Sequence, residues 1–320
     1  MPSKKMKQIL IIILGYLIIM GFSSEPEQKN YIQYHKDFSK VEEFVANEKF
    51  IEAESELDTL FGNYEVKFAK DYLIAGQVCL MNGHKNKGIE FIRSAIKMGV
   101  KLSCLKSIKL LSDKIVESEW NNLKNEESQL RKEYLKSIDL GLYQEFHKRY
   151  QEEQDAKRTV TYKSVVYSNF NRIKEITESI GFPGEDIIGL DNQTLAKSIS
   201  DCGCGNSKII VTLLHYDFPI SEIGEEKLIS AIERGNLHPR EFATIYNFEK
   251  NKVSVLYSES NKEYDILPKY NFNFPFGETI TDIEKVNSDR EKFGICRYDI
   301  DEKKIEVSRK YGMKLKFDYK

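Results

Sequence analysis

Residues 72–99 read YLIAGQVCLMNGHKNKGIEFIRSAIKMG, and their spacing decides the fold. Tyr72, Ala75, Gly76 and Cys79 fall on one face of a helix, because residues three and four apart lie above one another. Gly88, Ile92 and Ala95 share a face of the next helix, and Gly99 ends it. The small residues let the two helices approach closely, while Ile92 fills the gap between them.

Working outward, VEEFVANEKFIEAESELDTLF at 41–61 repeats the scheme. Val41, Phe44 and Val45 precede a break at NEK; Ala53, Leu57 and Leu60 follow it at spacings of three and four. Ala53 and Gly88 hold matching places 35 residues apart, close to a period of about 34. From Gly76 to Gly88, Ile92 and Ala95 the steps are 12, 16 and 19, a small-small-large-small order that resembles a tetratricopeptide repeat. Residues 31–117 are therefore expected to form two tetratricopeptide-like helical hairpins, with CLKSIKLLSDKIV (104–116) as a third helix covering the open end. Such a pair offers a peptide groove along the first-helix faces that hold Tyr72 and Gln77, or serves only as a packing unit.

The chain has 320 residues, enough for about two domains, with 48 basic against 50 acidic side chains. A net charge of −2 supplies no field to recruit nucleic acid or an anionic membrane. The count of 18 Tyr and 18 Phe argues against disorder. At the N-terminus, Lys4, Lys5 and Lys7 precede ILIIILGYLIIMGF (9–22), which is short for a bilayer span of about 20 residues. Gly21 and Ser23 suit a cut before Ser24, so residues 1–23 read as a signal peptide, with a short uncleaved anchor as the alternative. The mature chain is expected in the periplasm or outside the cell, with no membrane contact beyond that segment. Cys79, Cys104, Cys202, Cys204 and Cys296 are odd in number and contain no C-x-x-C pair.

Residues 118–320 follow a different grammar. Ser118 to about Arg158 reads as long charged helix begun by Trp120, and Asn169 to Ile180 as an amphipathic helix ended by Gly181 and Pro183. The run Ile209–Leu214 could be strand by composition. EEKLISAIERG (225–235) is helical, and Pro239 suits a first helical turn. KVSVLYS (252–258) and KEYDIL (262–267) read as a β-hairpin, PKYNFNFPFGE (268–278) as extended, TDIEKVNSDREKFG (281–294) as helix and 302–311 as a short helix. The expected class is mostly α: helical hairpins, then an α-rich domain with a small β-hairpin.

The order of these features from about Leu130 to Tyr298 resembles a bacterial domain family of unknown function. Its motifs run from an acidic residue and Gln with Arg a turn later to Asn-x-x-Arg-aliphatic-Lys-x-Ile, Gly-aromatic-Pro, Gln-His-x-Asp, a Gly…Pro helix and a closing Tyr-Gly-Thr-Gln. Here Glu153-Gln154 precede Arg158, Asn169 precedes Arg172, Ile173, Lys174 and Ile176, and Gly181-Phe182-Pro183 follow. Ile188-Gly189, then His215 and Asp217, AIERGNLHPREFATIYNF (231–248) and ITDIEKVNSDREKFGI (280–295) keep the order. Leu214 replaces the Gln, Asn247-Phe248 replaces Asp-Arg, only Tyr257 survives of the last motif, and LDNQTLAKSISDCGC (190–204) is inserted. The resemblance implies a fold and a boundary, with Arg158, Asn169 and Arg172 as candidate ligand-binding positions, but no reaction.

Chemistry is sparse. Cys202-Gly203-Cys204 could share a metal or form a strained disulfide, yet a four-coordinate zinc needs two further ligands; a turn with incidental thiols serves as well. His215 and Asp217 share a face only on a strand, where the carboxylate could fix the imidazole tautomer. His238, Arg240 and Glu241 stand at a helix start, able to hold an anion or simply to satisfy the helix end. G-x-S-x-G, H-E-x-x-H and the P-loop are absent, and no cofactor is called for. The leading expectation is a non-enzymatic envelope adaptor that meets a protein or peptide partner through its repeats. The alternative is an enzyme or small-ligand binder with a pocket around His215, Asp217 and Arg172.

Overall fold

The computed structural model describes residues 29–190, 207–260, 269–273 and 280–316. The signal-like segment, Cys202, Cys204 and KEYDIL lie outside the described residues. Four helices form the first part: α1 (Tyr31–Ala46), α2 (Phe50–Asn63), α3 (Ala69–Met81) and α4 (Lys85–Lys97). Three-residue turns join α1 to α2 and α3 to α4, so each pair packs as a helical hairpin. The glycines of α3 and α4 do what their spacing predicts. A Cβ on Gly76 would stand 2.8 Å from Ile92 Cδ1 and 3.1 Å from the Gly88 carbonyl oxygen. One on Gly88 would stand 2.8 Å from Leu80 Cγ and 3.0 Å from the Gly76 oxygen.

The expected third helix is two, α5 (Leu102–Ser107) and α6 (Lys109–Lys114), parted at Ile108, whose ψ of 115° is extended. The expected long charged helix is also two, α7 (Glu117–Ser137) and α8 (Leu140–Ala156). Asp139 makes the break: its carboxylate accepts a bond from Leu142 N at 3.0 Å and so caps α8. Trp120 is buried beside Leu102, Leu105 and Leu123, which fastens α7 to the repeats.

The second part comprises α9 (Tyr162–Ser179), α10 (Glu185–Ile188), α11 (Ser207–His215), α12 (Pro219–Ile223), α13 (Glu225–Glu233), α14 (Pro239–Ser260), α15 (Ile283–Lys292) and α16 (Tyr298–Tyr311). The expected β-hairpin is wrong. Residues 252–258 are the end of α14, and no strand occurs among the described residues. Phe242, Ile245, Tyr246 and Glu249 are buried along α14 at steps of three and four. That helical stripe outweighs the β-propensity of Val253 and Val255, which is a weak and context-dependent preference. The Ile209–Leu214 run is helical for a different reason. Ile209, Ile210, Leu213 and Leu214 enter one core cluster, and spacings of three and four residues are those of a helix face.

The last described helix returns to the first. α16 packs on α1, and Gly312, left-handed with φ 68°, ends it. Residues 313–316, outside any helix, then cross α3, with Met313 and Leu315 buried in the cluster that holds Phe38, Ile74 and Val78. Among the described residues no helix is long and apolar enough to cross a membrane.

Candidate functional site

Glu145, Arg149 and Glu153 recur every four residues on α8 and so form one polar stripe. The stripe faces α9 and α11. Glu153 is fully buried. One of its oxygens accepts from Asn169 Nδ2 at 2.9 Å, and the other meets His215 Nδ1 in a very short contact. Asn169 Nδ2 also donates to the Arg149 carbonyl at 3.2 Å. Arg149 Nε donates to Glu145 at 2.8 Å, and Arg172 grips the same carboxylate with two bonds of 2.8 and 3.1 Å. These bonds, led by those from Arg172, hold the Glu145 carboxyl below its usual range against the opposing effect of burial.

His215 is the last residue of α11, with its ring partly exposed and Tyr162 edge-on at 6.1 Å. A buried carboxylate on one imidazole nitrogen orients the ring, and its partial exposure gives a ligand access to it. The arrangement can bind a polar group or move a proton.

The structure therefore brings together Asn169, Arg172 and His215 of the expected positions. Asp217 is not with them: it is largely exposed and pairs with Lys252 at 2.7 Å. A helix end separates residues two apart, where a strand would have aligned them. Arg158 is exposed just beyond α8 at φ 69°, outside the ladder. Glu153, the central residue, was legible only as part of a motif; the four-residue recurrence on α8 was the signal that it faces inward.

Of a second polar cluster the sequence pointed only to Arg240. Glu42 of α1, Cys296 and Asp301 of α16 place one ligand atom each within 4.8 Å of one another. The donors do not fit a metal ion, because cations already occupy them. Arg240 donates to both Asp301 oxygens at 2.9 Å and to Glu42 at 3.1 Å. Lys304 pairs with Asp301 at 2.8 Å and with Glu42, and Arg290 also bonds Asp301. Burial pushes the Cys296 thiol well up, so it offers no thiolate. The cluster is an ionic clamp joining α1, α14, α15 and α16. Arg240 is thus a structural residue rather than an anion site at a helix start.

Beside the clamp lies a small cavity of about 20 Å³ lined by His35, Lys70, Asp71, His238 and Arg240, enough for one water. The His35 and His238 rings meet at 4.7 Å, and burial followed by the charge of Lys70 keeps both well below the usual histidine range. His35 Nε2 is buried without a hydrogen-bond partner, which a single water would supply. Tyr34 donates to Asp71 at 2.7 Å and Ala69 N to Glu185 at 2.7 Å. Burial nevertheless raises Asp71 to about 7 and Glu185 to about 8.

Fold and site define the class: a protein helical throughout its described residues, in which paired, repeat-like hairpins are clamped to a larger helical part that carries a buried carboxylate–histidine pair. No family model, curated protein or solved structure matches the chain.

Proposed function

We propose that the larger helical part binds a small polar ligand at His215, with acid–base chemistry available there, in an enzyme or a ligand-binding protein. One observation carries this reading: Glu153, buried on α8, holds His215 of α11 while Asn169 of α9 holds Glu153. Three helices converge to orient one partly exposed imidazole, a cost in buried polar groups that packing alone does not require. Glu153, Asn169 and His215 are also three positions of the resemblance to the bacterial domain family, which supports treating them as one unit. Glu153, and not Asp217, is the carboxylate that partners His215. The N-terminal segment supports a setting outside the cytoplasm.

The test is a ligand screen by NMR on the whole chain, followed by His215→Ala and Asn169→Ala. A ligand that shifts the resonances of Tyr162 and His215, and loses at least about tenfold in affinity in His215→Ala, supports the site. Ligands that bind both chains equally well overturn it. The adaptor reading remains as a second proposal, because Gln77 reads the main chain of an extended segment, and that observation leads further.

A further inference from the structure

We propose that the repeat face of α3 is a peptide-binding groove that the chain fills with its own residues 313–315, and that its partner is an extended protein segment with apolar side chains two residues apart. Gln77 is completely buried on α3. Its Nε2 donates to the Lys314 carbonyl at 2.9 Å, and its Oε1 accepts from Lys314 N at 2.7 Å. Both bonds go to main chain, 237 residues away in sequence. A side-chain amide that pairs with the N–H and C=O of one residue reproduces the pairing of a neighbouring strand, and it accepts any residue type at that place.

Specificity comes from the flanks. Met313 and Leu315 are buried in the same apolar cluster as Ile74 and Val78, while Lys314 is only half-buried. Apolar residues at every second position are what an extended segment presents to one face.

The segment is set off from the helix before it. It follows Gly312, whose positive φ permits a sharp turn out of α16. Upstream, Leu110 N donates to the Gly312 carbonyl at 2.9 Å, and Tyr311 is fixed edge-on against Phe50 at 5.4 Å. Exchange with a partner then requires only that residues 313–315 leave α3, a local opening rather than unfolding of the helices. The inference concerns a different face from His215, so either reading can fail alone.

The experiment uses the whole chain, a Met313→Asp/Leu315→Asp variant that frees the groove, and a fluorescent peptide of residues 310–318. The variant is expected to bind the peptide at least about tenfold more tightly than the unaltered chain, whose groove is mostly filled. Adding Gln77→Ala should abolish that binding, and a peptide carrying Asp at the Met313 and Leu315 places should not bind. A cooperatively folded variant that ignores the peptide overturns the proposal. Concentration-dependent dimers competed by the peptide would assign the groove to a second copy and overturn it too. If the variant fails to fold, hydrogen exchange on the unaltered protein decides. Lys314 must exchange well before the α3 amides; exchange only with them means that the segment never opens.

Discussion

Gly76 and Gly88 show how two residues set the first half of the molecule. By helix propensity alone, replacing either with Ala should stabilise by up to ~1 kcal/mol. The close approach reverses the sign, because each new Cβ would meet a neighbouring side chain at 2.8 Å and a helix carbonyl at 3.0–3.1 Å. Gly88→Ala is expected to cost about 1–3 kcal/mol in urea unfolding; a gain would show a looser hairpin than described. Glu153 is decisive in the other half. Glu153→Ala leaves Asn169 and His215 without their shared acceptor, each a loss of about 1–3 kcal/mol. Glu153→Gln keeps an acceptor oxygen and should lose less, so equal losses in denaturant melts would refute the hydrogen-bond account.

At the scale of elements, capping and periodicity compete with local propensity. The stretch from Ser118 to Arg158 has helical spacing throughout, yet Asp139 stops α7 and starts α8. Asp139→Ala should cost about 0.5–2 kcal/mol through the lost cap. The loss should appear as early hydrogen exchange at the start of α8; unchanged protection there would mean that packing, not the cap, fixes the break. Residues 252–258 make the opposite point. Their β-branched residues suggested a strand, but α14 already had a buried stripe from Phe242 to Glu249, and propagating a helix costs less than starting a new element.

The whole molecule is held at the junction between the hairpins and the larger part. Arg240→Met would leave Asp301 and Glu42 with fewer partners in a buried place, an expected loss of about 3–5 kcal/mol; a loss under 1 kcal/mol would mean that Lys304 and Arg290 suffice. The junction is also pH-dependent. Asp71 and Glu185 bind protons more tightly folded than unfolded, since burial raises them to about 7 and about 8. Their stabilising effect is full below the ordinary carboxyl range near 4 and is lost as pH rises through those values. Tm should therefore fall between pH 5 and 9, and Asp71→Asn, which can still accept the Tyr34 hydroxyl, should flatten that fall. An equal slope in both proteins would refute the role of Asp71.

The sequence by itself determined the helical hairpins, because Gly76, Gly88, Ile92 and Ala95 encode a local contact between neighbours in the chain. It also marked Asn169, Arg172 and His215 as positions of interest, through motif order. Only the tertiary structure decided that Glu153, not Asp217, backs His215, that Arg240 closes an ionic clamp with Glu42 and Asp301, and that Gln77 grips Lys314. Those pairs are 62, 198, 61 and 237 residues apart. Periodicity reports which face of an element is buried, but it carries no information about which distant face will cover it.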